Sequence, residues 1–172
     1  MVKVTGAILV IMAMGTVGLV VARNYSLRPQ QLRYLLNGLQ MLETEMLYCL
    51  TPLPLALKRV GMKLPYPISQ FFLNTSTSLT NGEGITAGEA WEMALGELAE
   101  ESALLMEELD ILLYFSQSLG VADREEQGKS LRLVKEQLMN MEKKAEELKE
   151  KNQKLWQYLG FSLGAVIALV LI

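Results

Sequence analysis

The chain has 172 residues, 51% of them hydrophobic, with a formal net charge of −3, one cysteine and no histidine. That length holds one domain once two apolar ends are set aside, and so small a charge makes no field that would draw nucleic acid. Without histidine, the commonest general base and the commonest metal ligand are both missing.

Val4 to Val21 is an almost unbroken apolar run, about as long as a bilayer core is thick in helical residues. A cleavable signal peptide is the competing reading, with Val20-Val21-Ala22 as the cut site. The run exceeds a usual h-region and Arg23 would follow the cut directly, which favours an uncleaved helix. Pro29 suits an early helical position, and Leu32, Leu35, Leu36, Leu39, Leu42 and Met46 trace a stripe to about Tyr48. Thr51-Pro52 predicts an N-cap and first-turn proline for a short helix carrying Leu53, Ala56, Leu57 and Val60, with Gly61 placed to end it. Pro65 and Pro67 bracket a turn at Tyr66, and Ile68 to Leu79 forms a helix with Phe71 and Phe72 inward.

Asn81-Gly82-Glu83-Gly84 reads as a loop. Thr86 and Glu89 make a capping box for a helix with Ala90, Trp91, Ala94, Leu95 and Leu98 on one side. Ala103 to Leu119 is predicted as the next helix, its stripe built from Leu105, Leu109, Leu112 and Phe115, and Gly120 sits at its C-terminal cap.

The last third is one long helix. Asp123 suits the N-cap, and Leu131, Val134, Leu138, Met141, Ala145, Leu148 and Leu155 recur at alternating three- and four-residue spacing, a narrow stripe for a partner helix. No proline interrupts it before LGFSLGAVIALVLI. Its polar part is roughly 50 Å long at the helical rise. The apolar tail from Leu159 is short and needs Leu155 and Trp156 to begin a span, while Trp156 and Tyr158 read as membrane-interface aromatics. Arg23, Arg28 and Arg33 follow the first apolar run, and Lys143, Lys144, Lys149, Lys151 and Lys154 precede the second. Both biases put the middle of the chain in the cytoplasm and both termini outside. No segment alternates with a period of two. The expected fold is therefore all-α: a cytoplasmic helical bundle over 23–154 with a long C-terminal helix, flanked by transmembrane helices at 1–22 and 155–172.

Nothing in the sequence assembles catalytic, cofactor-binding or metal-binding residues. Cys49 has no histidine to activate it, adjacent carboxylates such as Glu125-Glu126 point in different directions on a helix, and the NGEG loop lacks the Gly-Lys-Ser/Thr of a P-loop. An enzyme and a small-molecule substrate are not expected. Basic residues on the rod alternate with acidic ones, so no continuous surface for nucleic acid forms. The middle is different: no Lys or Arg occurs between Lys63 and Arg124, an interval rich in carboxylates. Glu97, Glu100, Glu101, Glu107 and Glu108 are candidate contacts for a basic partner on the membrane-distal surface, although solvated helix faces explain most charge runs. Asp123 and Arg124 form a second candidate, setting the angle between two helices or meeting a partner.

One set of residues carries a specific resemblance. Arg28-Pro29, Leu42-Glu43-Thr44-Glu45, Tyr48, Thr51-Pro52-Leu53-Pro54, Ala56-Leu57, Ala90-Trp91, Ala94-Leu95, Leu119-Gly120, Asp123-Arg124-Glu125, Gln127, Lys129, Lys154-Leu155-Trp156 and Tyr158-Leu159-Gly160 lie in one register across the chain. In this pattern the chain resembles the stage III sporulation protein AB family, departing from it at Ala122, where a capping serine is expected. The resemblance implies a non-enzymatic role in endospore formation, as a membrane platform of the channel joining mother cell and forespore. Its helical domain would be similar to the cytoplasmic domains of type II secretion and type IV pilus platform proteins. The implied partners are a secretion-type ATPase and other channel subunits, with self-association open. A membrane-anchored signalling or adaptor protein is the alternative class, weakened by the missing periplasmic sensor domain.

Overall fold

The computed structural model describes residues 26–81, 84–120 and 123–171, with side chains as far as residue 152 except that of Arg124. The expected span at 1–22 and the side chains of the expected span at 155–172 lie outside those residues. Helix α1 covers residues 26–43 and closes in a wide π turn, Thr44–Tyr48. Then follow α2 (Leu53–Gly61), α3 (Ile68–Asn81), α4 (Ala87–Glu101), α5 (Met106–Ser116) and α6 (Arg124–Leu171). All regular structure among the described residues is helical, and no helix among them is long and apolar enough to cross a membrane.

Side-chain periodicity explains the layering. Leu32, Leu35, Leu39 and Leu42 lie on one stripe of α1 and are fully buried. Helices α2 to α5 run up and down as successive antiparallel neighbours. The Ser76 hydroxyl donates to the Pro54 carbonyl at 2.7 Å between α2 and α3, the Asn74 amide donates to Glu97 between α3 and α4, and Trp91 Nε1 donates to the Leu112 carbonyl at 2.9 Å between α4 and α5. Trp91 is the hub of the core. Its ring meets Phe71 at 4.5 Å and Phe115 at 5.3 Å, both edge to face.

Helix α6 finds its partner in α1. Arg33 pairs with Glu142 at 2.6 Å and Glu146 at 2.8 Å, Lys135 bonds Gln40 at 2.6 Å and also Glu43, and a side chain at Gly128 would lie 3.0 Å from Leu47. As residue numbers rise on α1 they fall on α6, so the two helices are antiparallel and in fixed register. Leu131, Val134, Leu138 and Ala145 are buried along the predicted stripe and Met141 partly so, whereas Leu148 on the same stripe is 44% exposed.

Three local expectations are corrected. Thr51 does not cap α2: its hydroxyl donates to Glu45 at 2.7 Å and Pro52 occupies the cap position without a side-chain bond. Gly61 ends α2 without turning left-handed. Its missing side chain instead lets α3 approach, since a Cβ there would meet Leu73 at 2.7 Å. Gly120, with φ of +82°, does take the left-handed conformation expected after α5. Helix α5 itself starts at Met106 rather than Ala103, because Ser102 and Leu105 are extended. Leu105, expected in the apolar stripe, is consequently half exposed.

Candidate interaction surface

The carboxylates proposed as partner contacts do not share one environment. Glu100, Glu101 and Glu107 are exposed around the corner between α4 and α5. Glu97 is exposed one turn earlier and already accepts a bond from Asn74. The Glu101 carboxylate beside the Tyr66 phenol raises the Tyr66 pKa above its ordinary value. Glu108 points inward and is fully buried.

Three bonds to its carboxylate offset the cost of that burial. One carboxylate oxygen of Glu108 accepts from Arg28 Nε at 3.1 Å and from its Nη2. The other accepts from the Leu105 backbone N–H at 2.5 Å, closing the first turn of α5. Glu108 is therefore a cap and half of a buried ion pair, and as a partner contact it is withdrawn. The sequence signal was present in hindsight: a Glu three residues into a helix commonly reaches back to the cap N–H, but no Ser or Thr stands at Leu105 to announce the start.

These bonds also overturn the expected location. Arg28 lies in the first turns of α1, and Gln31 one turn on accepts from the Ala103 N–H at 2.7 Å. The α4–α5 corner is thus strapped to the end of the bundle that follows the first apolar run, not to the far end. Asp123 is at the opposite end, where its carboxylate accepts from the Glu126 N–H at 2.8 Å as the N-cap of α6. The side chains of Arg124, Trp156 and Tyr158 lie outside the described residues.

Three surface carboxylates are held below their usual range. The Thr86 backbone N–H, then the Thr86 hydroxyl, lowers Glu89 in the capping box. Thr51, then Arg59, lowers Glu45, and Lys149, then Arg33, lowers Glu146. A carboxylate whose folded pKa is depressed contributes stability that is complete above its unfolded value and is lost as pH falls through the folded one. The denaturant midpoint should accordingly be flat from neutrality to about pH 5 and fall once the ordinary value of 4.5 is passed. A midpoint that rises below that pH would contradict these assignments.

Among the described residues, no group of three or more His, Cys, Asp or Glu is arranged to hold a metal ion. The described residues thus form an up-and-down helical bundle, closed by the ion-paired antiparallel match of α1 and α6 and showing a carboxylate-rich corner between α4 and α5.

A family model described as stage III sporulation protein AB matches residues 3–172. Stage III sporulation protein AB of Bacillus subtilis (strain 168) is 34% identical over 171 residues, covering 99% of each chain. A solved structure of stage III sporulation protein AB superposes with a TM-score of 0.69 at 34% identity, covering 73% of this chain and 98% of that one. The chain belongs to the stage III sporulation protein AB family, a family of sporulation proteins and not a known family of enzymes.

Proposed function

We propose that the protein is a non-enzymatic membrane platform subunit of the channel joining mother cell and forespore, required for endospore formation. The observation that carries this reading is the antiparallel register of α1 and α6. It sets the start of α1 and the continuation of α6 at the same end of the bundle. The apolar runs at 1–22 and 155–172 then lead from one end, as two spans of one membrane require, with 23–154 as the cytoplasmic domain. The basic residues near those runs favour the cytoplasm for the domain, and the mother-cell side follows from the family resemblance alone. That asymmetry counts Lys and Arg even where they are paired, as Arg33 is.

The partners in this reading are a secretion-type ATPase and other channel subunits, with Glu97, Glu100, Glu101 and Glu107 offered to a basic surface. Tagged full-length protein purified from membranes of sporulating cells should retain both kinds of partner, and retention of neither would overturn the platform reading. Charge reversal by E100K, E101K and E107K together should remove the ATPase while leaving the circular dichroism spectrum unchanged. These side chains are exposed, and surface changes away from special features cost little stability.

A further inference from the structure

We infer that the outer seam between α4 and α5 is a docking groove for a basic amphipathic helix of a partner protein. The inference deepens the platform reading by naming the partner's element and its place on the surface.

The two helices run antiparallel. A side chain at Gly88 would lie 2.8 Å from the Ser116 carbonyl, and the Ser116 hydroxyl donates to Glu92 at 2.7 Å. Helical spacing carries that edge of α4 from Gly88 through Glu92 to Gly96 and Ala99. The facing edge of α5 runs back from Ser116 through Leu113 and Leu109 to Met106 and Leu105. Beyond the Glu92–Ser116 bond, toward Gly96 and Leu105, the seam is apolar, yet Leu105, Met106 and Leu113 are 48%, 72% and 41% exposed.

Gly96 adds a separate observation. Glycine inside a helix weakens it relative to alanine, and most mid-helix glycines answer a close packing neighbour. A Cβ at Gly96 would meet nothing within 4 Å. The bundle itself has no use for a glycine there, whereas a helix laid into the seam would approach most closely at that point.

Charge decides what kind of helix fits. Glu92 and Glu100 border the seam on α4, and Glu107 and Asp110 on α5; all four are exposed, in an interval with no Lys or Arg from residue 64 to residue 123. An apolar stripe flanked by Lys or Arg on both sides satisfies floor and rim together. Met106 supplies an adaptable contact for it.

The test places a photo-crosslinking benzoylphenylalanine at Ala99 or at Leu113 of the full-length protein in sporulating cells, and sequences the crosslinked peptide. Both positions should capture the same segment of one other protein, with helical apolar spacing and flanking basic residues. Gly96→Leu should cut the yield at least tenfold while raising the melting temperature, because it fills open space and improves the helix. Undiminished yield in Gly96→Leu overturns the groove, as does capture of a second copy of this chain, of lipid, or of a segment without that pattern. If no adduct forms while the tagged protein still retains its channel partners, the groove fails and the platform reading survives. If no partner is retained, both fail.

Discussion

Glu108→Ala should lower the stability of the bundle by about 3–5 kcal/mol, the usual loss when one partner of a buried ion pair is removed. The change leaves the Arg28 guanidinium, whose side chain is 15% exposed, without its carboxylate, and it opens the first turn of α5 by removing the acceptor of the Leu105 N–H. For a domain stable by roughly 5–15 kcal/mol, that loss shifts the melting temperature by about 10–20 °C. The comparison that isolates the pair is Glu108→Gln with Arg28→Met. Gln keeps an acceptor for Leu105, and Met removes the charge that needed Glu108. The double variant should lose less than the sum of its single variants in thermal melts, since the second change removes the orphaned charge the first creates. Strict additivity would mean that the two groups do not act as a pair.

The same pair shows where sequence reading stops. Stripes of one residue type at helical spacing led directly to buried positions: the four leucines of α1, Trp91 with Ala94 and Leu98 on α4, and Leu131, Val134 and Leu138 on α6 all lie inside. Burial of an apolar face is a local property of the pattern, so one helix at a time is enough to find it. The Thr86–Glu89 capping box was equally legible, because its bonds join residues three apart. Glu108 was not, because its partner Arg28 is 80 residues away in sequence. A carboxylate among carboxylates looks solvated until the fold brings it a cation. Thr51 failed for a related reason. A threonine before Pro-Leu has the form of a cap, but the π turn at the end of α1 brings Glu45 within reach and takes its hydroxyl. The placement of the acidic corner depended on topology as well. Read along the chain, α4 and α5 are far from the first apolar run, and only the up-and-down order of the helices returns them to it. The antiparallel match of α1 and α6 depended on topology too: each stripe was legible by itself, but which helix would cover it is set by contacts about 100 residues apart in sequence.

Trp91→Ala should be the most damaging single change in the core, costing about 3–5 kcal/mol and leaving the protein prone to unfold near growth temperature. Its side chain is fully buried and joins three elements at once: Phe71 and Phe72 from α3 and Phe115 from α5 all meet it edge to face. Removing the indole leaves a void that these rings cannot close without leaving their own positions, and an unfilled cavity adds to the lost burial. Trp91→Phe separates the two contributions. The phenyl ring keeps most of the aromatic contact but cannot donate to the Leu112 carbonyl, which the indole reaches at 2.9 Å. That carbonyl lies inside α5 and has a helical N–H partner in Ser116 by position. The lost donor should therefore cost only about 0.5–1.5 kcal/mol, and most of any further loss in Trp91→Phe comes from the smaller volume. Denaturant unfolding of the two variants should thus rank wild type, Phe and Ala in that order, with the larger step between Phe and Ala. The larger step falling between wild type and Phe would assign the role of Trp91 to its hydrogen bond rather than its bulk. Because Trp91 bonds the Leu112 carbonyl and packs on Phe115 across the α4–α5 interface, the Ala variant should also lose the crosslinks expected from Ala99 and Leu113, whereas the Phe variant should keep them.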